Sequence, residues 1–214
     1  MVAVDLKKTY REHYTARTTP SFVTVPPRPH LLVDGAGDPN TSSVYRECVG
    51  SLYPLAYALR AAIKDATGEA YTVMPLEGLW WSDDISRFSV EAKDDWRWTL
   101  MICLPDAVAA VDAAEVMART TAQRSLPAGD RVRLEQFGDG EATQVLHVGP
   151  YAMEAPTVAR LHEFIAAEGR ALRGRHHEIY LSDPRRVAPE RMRTIIRQPV
   201  EAASSLRVHD TPLS

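Results

Sequence analysis

The stretch "HHEIYLSDPRR", residues 176–186, combines the pattern of a β-strand with a carboxylate at its centre. Side chains alternate between the two faces of a strand, so Glu178 and Tyr180 share one face while Ile179 and Leu181 share the other. The aliphatic pair predicts a face that packs into a core. The acid and the phenol then lie either on a solvated sheet surface or in the wall of a binding site, and the rest of the chain has to decide between the two.

The same order of elements occurs twice along the chain. The first copy reads "LLVDG" (31–35), a helix, "VMPLEGLWW" (73–81) and "WTLMICLP" (98–105), and the second reads "LHVGP" (146–150), a helix, "IYLSDPRR" (179–186) and "RTIIRQPV" (193–200). A strand–helix–strand–strand unit that occurs twice predicts two pseudo-symmetric modules, at about 28–105 and 131–200, connected by a helix at 107–123. Ligand pockets commonly form at such a junction.

The first module contains a long predicted helix at 41–65, capped by Thr41 or Ser42. One of its faces is apolar at a spacing of three and four residues, and a second face carries tyrosines. The apolar face comprises Val44, Cys48, Leu52, Leu55, Leu59 and Ile63, and the tyrosines are Tyr45, Tyr53 and Tyr57. Pro54 lacks the N–H that would bond to Gly50, so we expect a kink or break in this helix.

Several further elements follow from local signals. The strands at 71–81 and 96–105 flank an acidic loop with Asp83, Asp84, Asp94 and Asp95, and a helix is predicted at 155–168 with Gly169 as its stop. The strands at 131–137 and 142–151 are separated by Gly138-Asp139-Gly140, which predicts a β-hairpin. We divide the chain into an N-terminal arm (1–21), one domain (22–200) and a C-terminal tail (201–214).

The composition is that of a globular protein, with 45% hydrophobic and 25% charged residues and a formal net charge of -3. This charge gives no reason to expect nucleic acid or an anionic membrane as a partner. No long apolar run or leader-like segment is present, and Cys48 and Cys103 form no paired motif. We therefore expect a cytoplasmic protein that is neither secreted nor membrane-spanning.

Four tryptophans, Trp80, Trp81, Trp96 and Trp98, are concentrated in one part of the sequence. Alternation predicts that Trp96 and Trp98 share a strand face and that Trp80 and Trp81 do not. Each of them alone is typical of a packed core. Together with the tyrosine-bearing helix and Glu178 they indicate an aromatic cage, in which each ring attracts an organic cation by roughly 0.5 to 2 kcal/mol.

Metal and phosphate chemistry receives little support from the sequence. His176 and His177 are adjacent, so they point to opposite faces of a strand and cannot bind one ion together. The motifs G-x-S-x-G, P-loop and G-x-G-x-x-G are absent from the sequence. Arg185-Arg186 after Asp183 could bind a phosphate but is also typical of solvated charge on a turn. We predict neither a metal nor a cofactor.

With "LHVGPY", "HHEIYLSDP" and "YTVMPLEGLWW" assembled, the sequence resembles the GyrI-like small-molecule-binding superfamily over about residues 22–200. The resemblance implies an α+β fold of duplicated β-α-β-β modules, with an antiparallel sheet and a central ligand groove. In the relatives an acid on the strand matching "HEIYLSDP" faces the bound drug, and by motif position this acid is Glu178. Sensory relatives are fused to a DNA-binding domain, for which the roughly twenty residues before the first strand are too few.

The resemblance also implies the site. In the stand-alone subgroup with "LEGLWW" and "HVGPY", aromatic residues and glutamates line the pocket. We predict ligand binding by Tyr53, Tyr57, Tyr71, Trp80, Trp81, Trp98, Met101, Glu178 and Tyr180, and catalytic roles for Glu178, Glu154 and Tyr151.

Two functions remain open at this point. The first is binding of varied aromatic, often cationic small molecules. The second, implied by similarity to hydrolases that detoxify cyclopropane-bearing, DNA-alkylating natural products, uses Glu178 as a general base on water, with Glu154 or Tyr151 as the acid. The oligomeric state, and whether a protein partner exists, do not follow from the sequence.

Overall fold

The structure is a computed structural model that describes residues 4–82 and 95–203. The predicted acidic loop lies mostly outside the described residues, because Asp83, Asp84 and Asp94 are not among them. The helices in the described ranges are α1 (Leu6–Thr9), α2 (Arg11–Tyr14), α3 (Ser43–Thr67), α4 (Ala113–Arg124) and α5 (Ala155–Ala167). The strands are β1 (Ser21–Val25), β2 (Arg28–Ala36), β3 (Leu76–Trp81), β4 (Arg97–Cys103), β5 (Arg133–Phe137), β6 (Gly140–Val148), β7 (Arg170–Leu172), β8 (His176–Tyr180) and β9 (Arg193–Ala202).

The strands form one antiparallel sheet in the order β1-β6-β9-β8-β3-β4-β2-β5, and β7 pairs with β9. The first module, β2-α3-β3-β4, contributes the neighbours β3, β4 and β2. The second module, β6-α5-β8-β9, contributes β8, β9 and β6 in the mirrored positions. The two modules meet where β3 pairs with β8. The fold is therefore α+β and built from duplicated β-α-β-β units, as predicted.

The outer strands of the sheet are exchanged between the modules. β1 precedes the first module but pairs with β6 of the second, and β5 precedes the second module but pairs with β2 of the first. The predicted hairpin between β5 and β6 is therefore wrong. Gly138 passes so close to the backbone of Pro26 that a Cβ would lie 2.6 Å from its carbonyl carbon, and the Asp139 side chain is buried in the interior. These contacts direct the chain across the molecule instead of into a tight turn.

Helix α3 runs without a break through Pro54. Its first turn is capped by the Ser42 side chain, which accepts a hydrogen bond from the Tyr45 N–H, and it ends at Gly68 with a left-handed φ of 76°. The predicted apolar face packs on the sheet, with Cys48, Leu52, Leu55, Leu59 and Ile63 all buried. Burial of this face stabilises the helix enough to tolerate a proline in its interior.

Other elements differ from the predictions mainly at their ends. The segment 107–123 contains a short 3-10 helix, Asp106–Ala110, before α4 begins at Ala113. Strand β3 begins at Leu76 and not at residue 71. Strands β1 and β7 were not predicted, because neither carries a strong apolar alternation. No helix within the described ranges combines the length and hydropathy required to span a bilayer.

The N-terminal segment packs on the sheet through α1 and α2. Leu6 and Tyr14 are buried, and Val4 forms a bridge with Tyr71. The Tyr14 hydroxyl donates a hydrogen bond of 2.7 Å to Glu77 in β3.

Candidate ligand groove

The two modules enclose a cavity of about 1620 Å³ above the seam between β3 and β8. Its walls are the tyrosine face of α3, the end of β3, the start of α5 and the loop after β8. The aromatic residues that line it are Tyr45, Tyr53, Tyr57, Trp80, Trp81, Trp96, Tyr151 and Tyr180. Such a volume exceeds that of most ligand pockets and accommodates a fused aromatic compound.

A single row of residues across six strands explains the position of Glu178. Residues that face each other directly in an antiparallel sheet lie on the same side. The row reads Val145, Ile196, Glu178, Gly78, Leu100 and Val33. Its ends are apolar and are covered by α5 and α3, whereas its centre is an acid beside a glycine. The acid thus lies on the helix-covered side of the sheet, in the uncovered space between the two helices.

The Glu178 carboxylate is held by its neighbours on the same strand face. The Tyr180 hydroxyl donates to Oε2 at 2.8 Å, and His176 Nε2 lies 3.1 Å from Oε1. The Trp80 indole N–H in turn donates to the Tyr180 oxygen at 3.0 Å. Burial raises the pKa of Glu178, but the hydrogen bond and charge of His176 and the hydrogen bond from Tyr180 outweigh it and hold this pKa below its ordinary value. Glu178 is therefore a fixed, ionised carboxylate.

Glu154 faces Glu178 and the Thr194 hydroxyl, both of which influence the pKa of its carboxyl. It occupies the N-cap position of α5, but its side chain does not cap the helix. The residue is buried, and its Oε1 has no partner among the described residues. Burial and the Glu178 charge together raise the pKa of Glu154 to about 9. The two carboxyls therefore hold one proton at neutral pH, and it resides on Glu154.

Tyr151 is the third predicted catalytic residue, and it lines the same cavity. Its ring meets that of Tyr180 edge-on at 5.5 Å between centroids. Burial and the nearby Glu154 and Glu178 raise the pKa of Tyr151 to about 12. Its hydroxyl therefore remains a proton donor throughout the physiological pH range.

Of the predicted ligand-binding residues, six line the cavity: Tyr53, Tyr57, Trp80, Trp81, Glu178 and Tyr180. Alternation predicts that Trp80 and Trp81 point to opposite faces of β3. Both side chains nevertheless line the cavity, because Trp81 is the last residue of the strand. The exposed Arg175 guanidinium stacks on the Trp81 ring, 3.5 Å from its centroid. Trp96 also lines the cavity; it precedes β4 and so escapes the alternation of that strand.

Three predicted residues do not line the cavity. Trp98 is fully buried, donates its indole N–H to the Gly37 carbonyl at 3.2 Å, and occupies the space that a side chain at Gly35 would fill. Met101 packs against Leu32 and Leu79 on the opposite side of the sheet.

Tyr71 is the third of these residues. It precedes β3 and is buried beneath α3, where its carbonyl accepts a hydrogen bond from the Arg60 guanidinium. Local alternation does not reveal such packing.

His176 and Tyr45 belong to the site but were not among the predicted site residues. The alternation that separates His176 from His177 also places His176 beside Glu178, two residues along the strand. Tyr45 lies two helical turns before Tyr53 on the same face of α3, and its ring is within 6.3 Å of that of Trp80. Strand alternation could therefore have identified His176 from the sequence, and helical spacing could have identified Tyr45.

A second cluster of charges lies on the other side of the seam. His177 Nδ1 is 2.9 Å from Asp139, its Nε2 is 3.1 Å from Glu77, and Asp139 also binds Arg197 at 3.1 Å. Burial lowers the pKa of His177, but the two carboxylates outweigh it and raise this pKa to about 9. The adjoining space is only about 10 Å³, so this cluster has no room for an organic ligand and joins the modules instead.

The described residues contain no group of three or more His, Cys, Asp or Glu side chains placed to bind a metal ion.

Comparison with known proteins agrees with this architecture. The model of the family described as GyrI-like small molecule binding domain matches residues 18–201. An uncharacterized conserved protein from Listeria innocua is 36% identical with a TM-score of 0.84, and a hydrolase from Listeria innocua is 35% identical with a TM-score of 0.79; each match covers 92% of this chain and 100% of the other.

More distant structures share the fold alone. The C-terminal domain of EcmrR is 13% identical, with a TM-score of 0.57 over 86% of this chain and 98% of the other. No match was found among curated proteins. The family model and the two Listeria proteins extend over nearly the whole chain, and the chain therefore belongs to the GyrI-like family of small-molecule-binding domains.

Proposed function

We propose that this protein is a hydrolase that adds water to an electrophilic aromatic small molecule bound in the groove. The observation that carries the proposal is the pair of adjacent carboxyls with opposite pKa shifts, ionised Glu178 and protonated Glu154. A site that holds one carboxyl as a base and another as an acid at the same pH is suited to proton transfer in both directions. The similarity to a hydrolase from Listeria innocua supports this proposal.

In the proposed reaction Glu178 accepts a proton from a water molecule while the water oxygen forms a bond to an electrophilic ring carbon. The electron pair of the breaking carbon–carbon bond moves through the conjugated system to an oxygen of the substrate. Glu154, or the Tyr151 hydroxyl, protonates that oxygen. Return of the proton from Glu178 to the group that gave one up, Glu154 or Tyr151, restores the starting state, so the net change is the addition of one water molecule.

The lowered pKa of Glu178 restricts the substrate class. A carboxylate that is more acidic than usual is a weak base, so it activates water only moderately. The substrate must therefore be reactive by itself, as a strained three-membered ring conjugated to an aromatic system is. Compounds of the cyclopropane-bearing, DNA-alkylating class meet this requirement, and ring opening would remove their alkylating centre. A role in detoxification and a cytoplasmic location remain our expectations from the sequence.

The aromatic walls would bind the flat part of such a substrate. The rings of Tyr45 and Trp80 are nearly parallel at 6.3 Å, and Trp96 meets Trp80 edge-on at 5.5 Å. Together they form a continuous surface on which a planar compound can stack, and offset stacking of this kind contributes roughly 0.5–1.5 kcal/mol per ring pair beyond the buried area.

A second candidate function is binding of aromatic cations without turnover. It is favoured by the net charge of the carboxyl pair, because one negative charge remains beside Trp80 and Tyr180 when Glu154 is protonated. A desolvated carboxylate among aromatic faces is a counter-charge for an organic cation. The same groove serves both functions, so turnover has to be measured directly.

The test is incubation with a cyclopropane-bearing alkylator, followed by mass spectrometry for the addition of water. We expect the wild-type protein to give the hydrated product. Glu178→Gln should reduce turnover at least 100-fold, since general-base catalysis contributes on the order of 10² to 10⁴, and should leave binding of this neutral substrate nearly unchanged. Glu163→Gln is the matched control, because Glu163 is exposed on α5 and does not line the cavity.

Unchanged turnover by Glu178→Gln would refute Glu178 as the base. Tight binding of cationic dyes without any hydrated product would favour the second candidate.

A further inference from the structure

Arg175 lies at one end of the seam between the two modules, directly before β8. The antiparallel register pairs Trp80 with His176, and continued by one residue it places Arg175 opposite Trp81. The Arg175 guanidinium carbon lies 3.5 Å from the centroid of the Trp81 ring. Arg175 is exposed and lines the cavity. The solvent-exposed end of the groove therefore carries a cation that is held on an aromatic face.

The stacked guanidinium retains its hydrogen-bond donors. At 3.5 Å an edge-on guanidinium would push a nitrogen into the Trp81 ring, so its plane lies roughly parallel to the ring. The five N–H donors of a guanidinium lie in its plane, so stacking occupies the face and leaves the edge free. Within residues 4–82 and 95–203, Arg175 has no carboxylate partner and donates no side-chain hydrogen bond. Its donors are therefore available to a ligand.

The other arginine that lines the cavity, Arg185, is already paired. Its Nε and one of its terminal nitrogens each lie 3.0 Å from an oxygen of the Asp183 carboxylate. This fork of donors is therefore occupied by the protein itself. Of the two arginines in the described wall of the cavity, Arg175 is the one that can accept an anionic group from a ligand.

The geometry of the donors and the charge of the groove restrict what Arg175 can recognise. A planar fork of N–H groups matches the two oxygens of a carboxylate. Arg175 precedes Glu178 by three residues, which is roughly 10 Å along an extended strand. The negative charge of the carboxyl pair is strongly screened over such a distance, whereas a contact with Arg175 is made at hydrogen-bond distance. A carboxylate is therefore attracted at this end of the groove and repelled near Glu178.

We infer that Arg175, held on Trp81, is a specificity-determining residue that favours aromatic ligands with a carboxylate roughly 10 Å from the atom that meets Glu178. The inference rests on the proposed function and deepens it by naming a feature of the substrate that lies apart from the reacting carbon. Uncharged ligands still bind through the aromatic walls. The carboxylate adds affinity and sets the direction in which the ligand lies in the groove.

The test is a comparison of two probes of nearly the same shape, a biphenyl carboxylate and the corresponding uncharged biphenyl carboxamide. Binding to the wild-type protein is measured by calorimetry at neutral pH, where the carboxylate is ionised. A charge-assisted contact is stronger than a neutral one but is weakened by exposure, so we expect a preference for the carboxylate of about threefold to tenfold at low salt. In about 1 M salt, which screens exposed charges, the preference should fall below about twofold.

Arg175→Gln removes the charge and keeps much of the length of the side chain. It also uncovers the Trp81 ring, but this affects both probes, so the ratio of their affinities reports the charge. The ratio should fall to about onefold or favour the carboxamide. Arg175→Lys keeps the charge without the planar fork and should give an intermediate preference. Arg124→Gln is the matched control, because Arg124 is exposed on α4 and does not line the cavity, and it should keep the wild-type preference.

Three results would overturn the inference: equal binding of the two probes by the wild-type protein at low salt, no binding of either probe, or an unchanged preference in Arg175→Gln. The first two are measured on the wild-type protein and do not depend on the folding of a variant. Since the readout is binding, its failure is distinct from a failure of the Glu178→Gln turnover experiment, which tests the proposed hydrolysis.

Discussion

Glu178 of β8 lies directly opposite Gly78 of β3 at the seam between the two modules. A Cβ at position 78 would lie 2.8 Å from the Trp80 indole nitrogen and 3.2 Å from the Tyr180 hydroxyl. The absence of a side chain on β3 thus leaves room for the hydrogen-bonded series Trp80–Tyr180–Glu178. One module supplies the space and the tryptophan, and the other supplies the carboxylate.

Gly78→Ala should therefore disturb the site through packing. We expect weaker binding of aromatic ligands and a loss of about 1–3 kcal/mol in the free energy of unfolding, the usual cost of an overpacked interior. Denaturant titration and ligand titration check these expectations. Gly50→Ala is the stability control: its Cβ has open space, so it should stabilise the helix by about 0.5–1 kcal/mol. Equal stability changes in the two variants would contradict the packing argument.

The carboxyl pair predicts a broad bell-shaped pH profile for turnover. Activity requires ionised Glu178, so it should fall as the pH drops through the lowered pKa of that group, in the acidic range below 4.5. With protonated Glu154 as the main acid, activity should also fall as the pH rises through about 9, to the residual level that Tyr151 supports. Because the groups interact, these limits belong to the pair.

Two variants test which carboxyl causes the loss of activity at low pH and which causes the loss at high pH. Tyr180→Phe removes a hydrogen bond to the Glu178 carboxylate, so the acidic limb should move to higher pH. Glu154→Gln removes the acid, so the upper limb near pH 9 should disappear while residual turnover depends on Tyr151. The same pH profile in the wild-type protein and in both variants would contradict the roles of Glu178 as base and Glu154 as acid.

The buried network of Glu77, His177, Asp139 and Arg197 predicts the pH range of stability. Burial raises the pKa values of Glu77 and Asp139, but the contacts with His177 outweigh it and lower both, so their contribution is present above their ordinary values and is lost as the pH falls through the lowered ones. The pKa of His177 is raised to about 9, so its contribution is complete below about 6.5 and is lost as the pH rises through 9. Stability should therefore be greatest between about pH 5 and 6.5.

Removing one partner of this network should be costly. Glu77→Gln removes the carboxylate beside the Tyr14 hydroxyl and His177 Nε2, while Asp139 stays at His177 Nδ1, and breaking a buried ion pair costs about 3–5 kcal/mol. Denaturant unfolding at pH 6 measures the loss. Glu135→Gln, at an exposed residue of β5, is the control and should change stability by less than about 1 kcal/mol. A small effect of Glu77→Gln would show that the network contributes little to the junction.

The tryptophans should report binding unequally. Trp96 lines the groove, whereas Trp98 is buried in the core. Quenching of tryptophan fluorescence by a bound aromatic dye should therefore diminish in Trp96→Phe, where Trp80 and Trp81 still line the cavity, and persist in full in Trp98→Phe. The second variant should instead lose about 1–3 kcal/mol of stability, because a smaller ring leaves space beside Gly35. Loss of quenching in Trp98→Phe alone would contradict the placement of the site.

The duplicated order of elements could be predicted from sequence because each module follows local rules of periodicity and capping. The pairing of β1 with β6 and of β5 with β2 could not, because it depends on contacts between distant segments. Local turn chemistry favoured a hairpin at Asp139, but burial of this carboxylate beside His177 prevailed.

The same distinction applies to the site. Glu178 was predicted because its place on a strand is a local property, reinforced by motif similarity. Trp98 and Met101 were placed by residue type, and their faces depend on where β4 begins and on which side the helices lie. Glu77 was missed because its partners, Tyr14 and His177, come from remote parts of the chain.

The charge of Glu178 provides a final discrimination between the proposed functions. Glu178→Gln keeps the shape of the side chain and removes the charge, so it should weaken binding of a cationic dye more than that of a neutral dye of the same shape. Truncation of one partner in a buried charge contact costs on the order of 2–5 kcal/mol, whereas an exposed contact contributes about 1 kcal/mol or less.

A selective loss of about 30-fold or more for the cation would therefore support a counter-charge in the groove. Equal effects on both dyes, together with abolished turnover of the cyclopropane-bearing substrate, would mean that the charge serves the chemistry of water and not the recognition of cations. Glu163→Gln should leave both affinities unchanged, since this residue lies outside the cavity. Unaltered binding and unaltered turnover in Glu178→Gln would contradict both proposed functions.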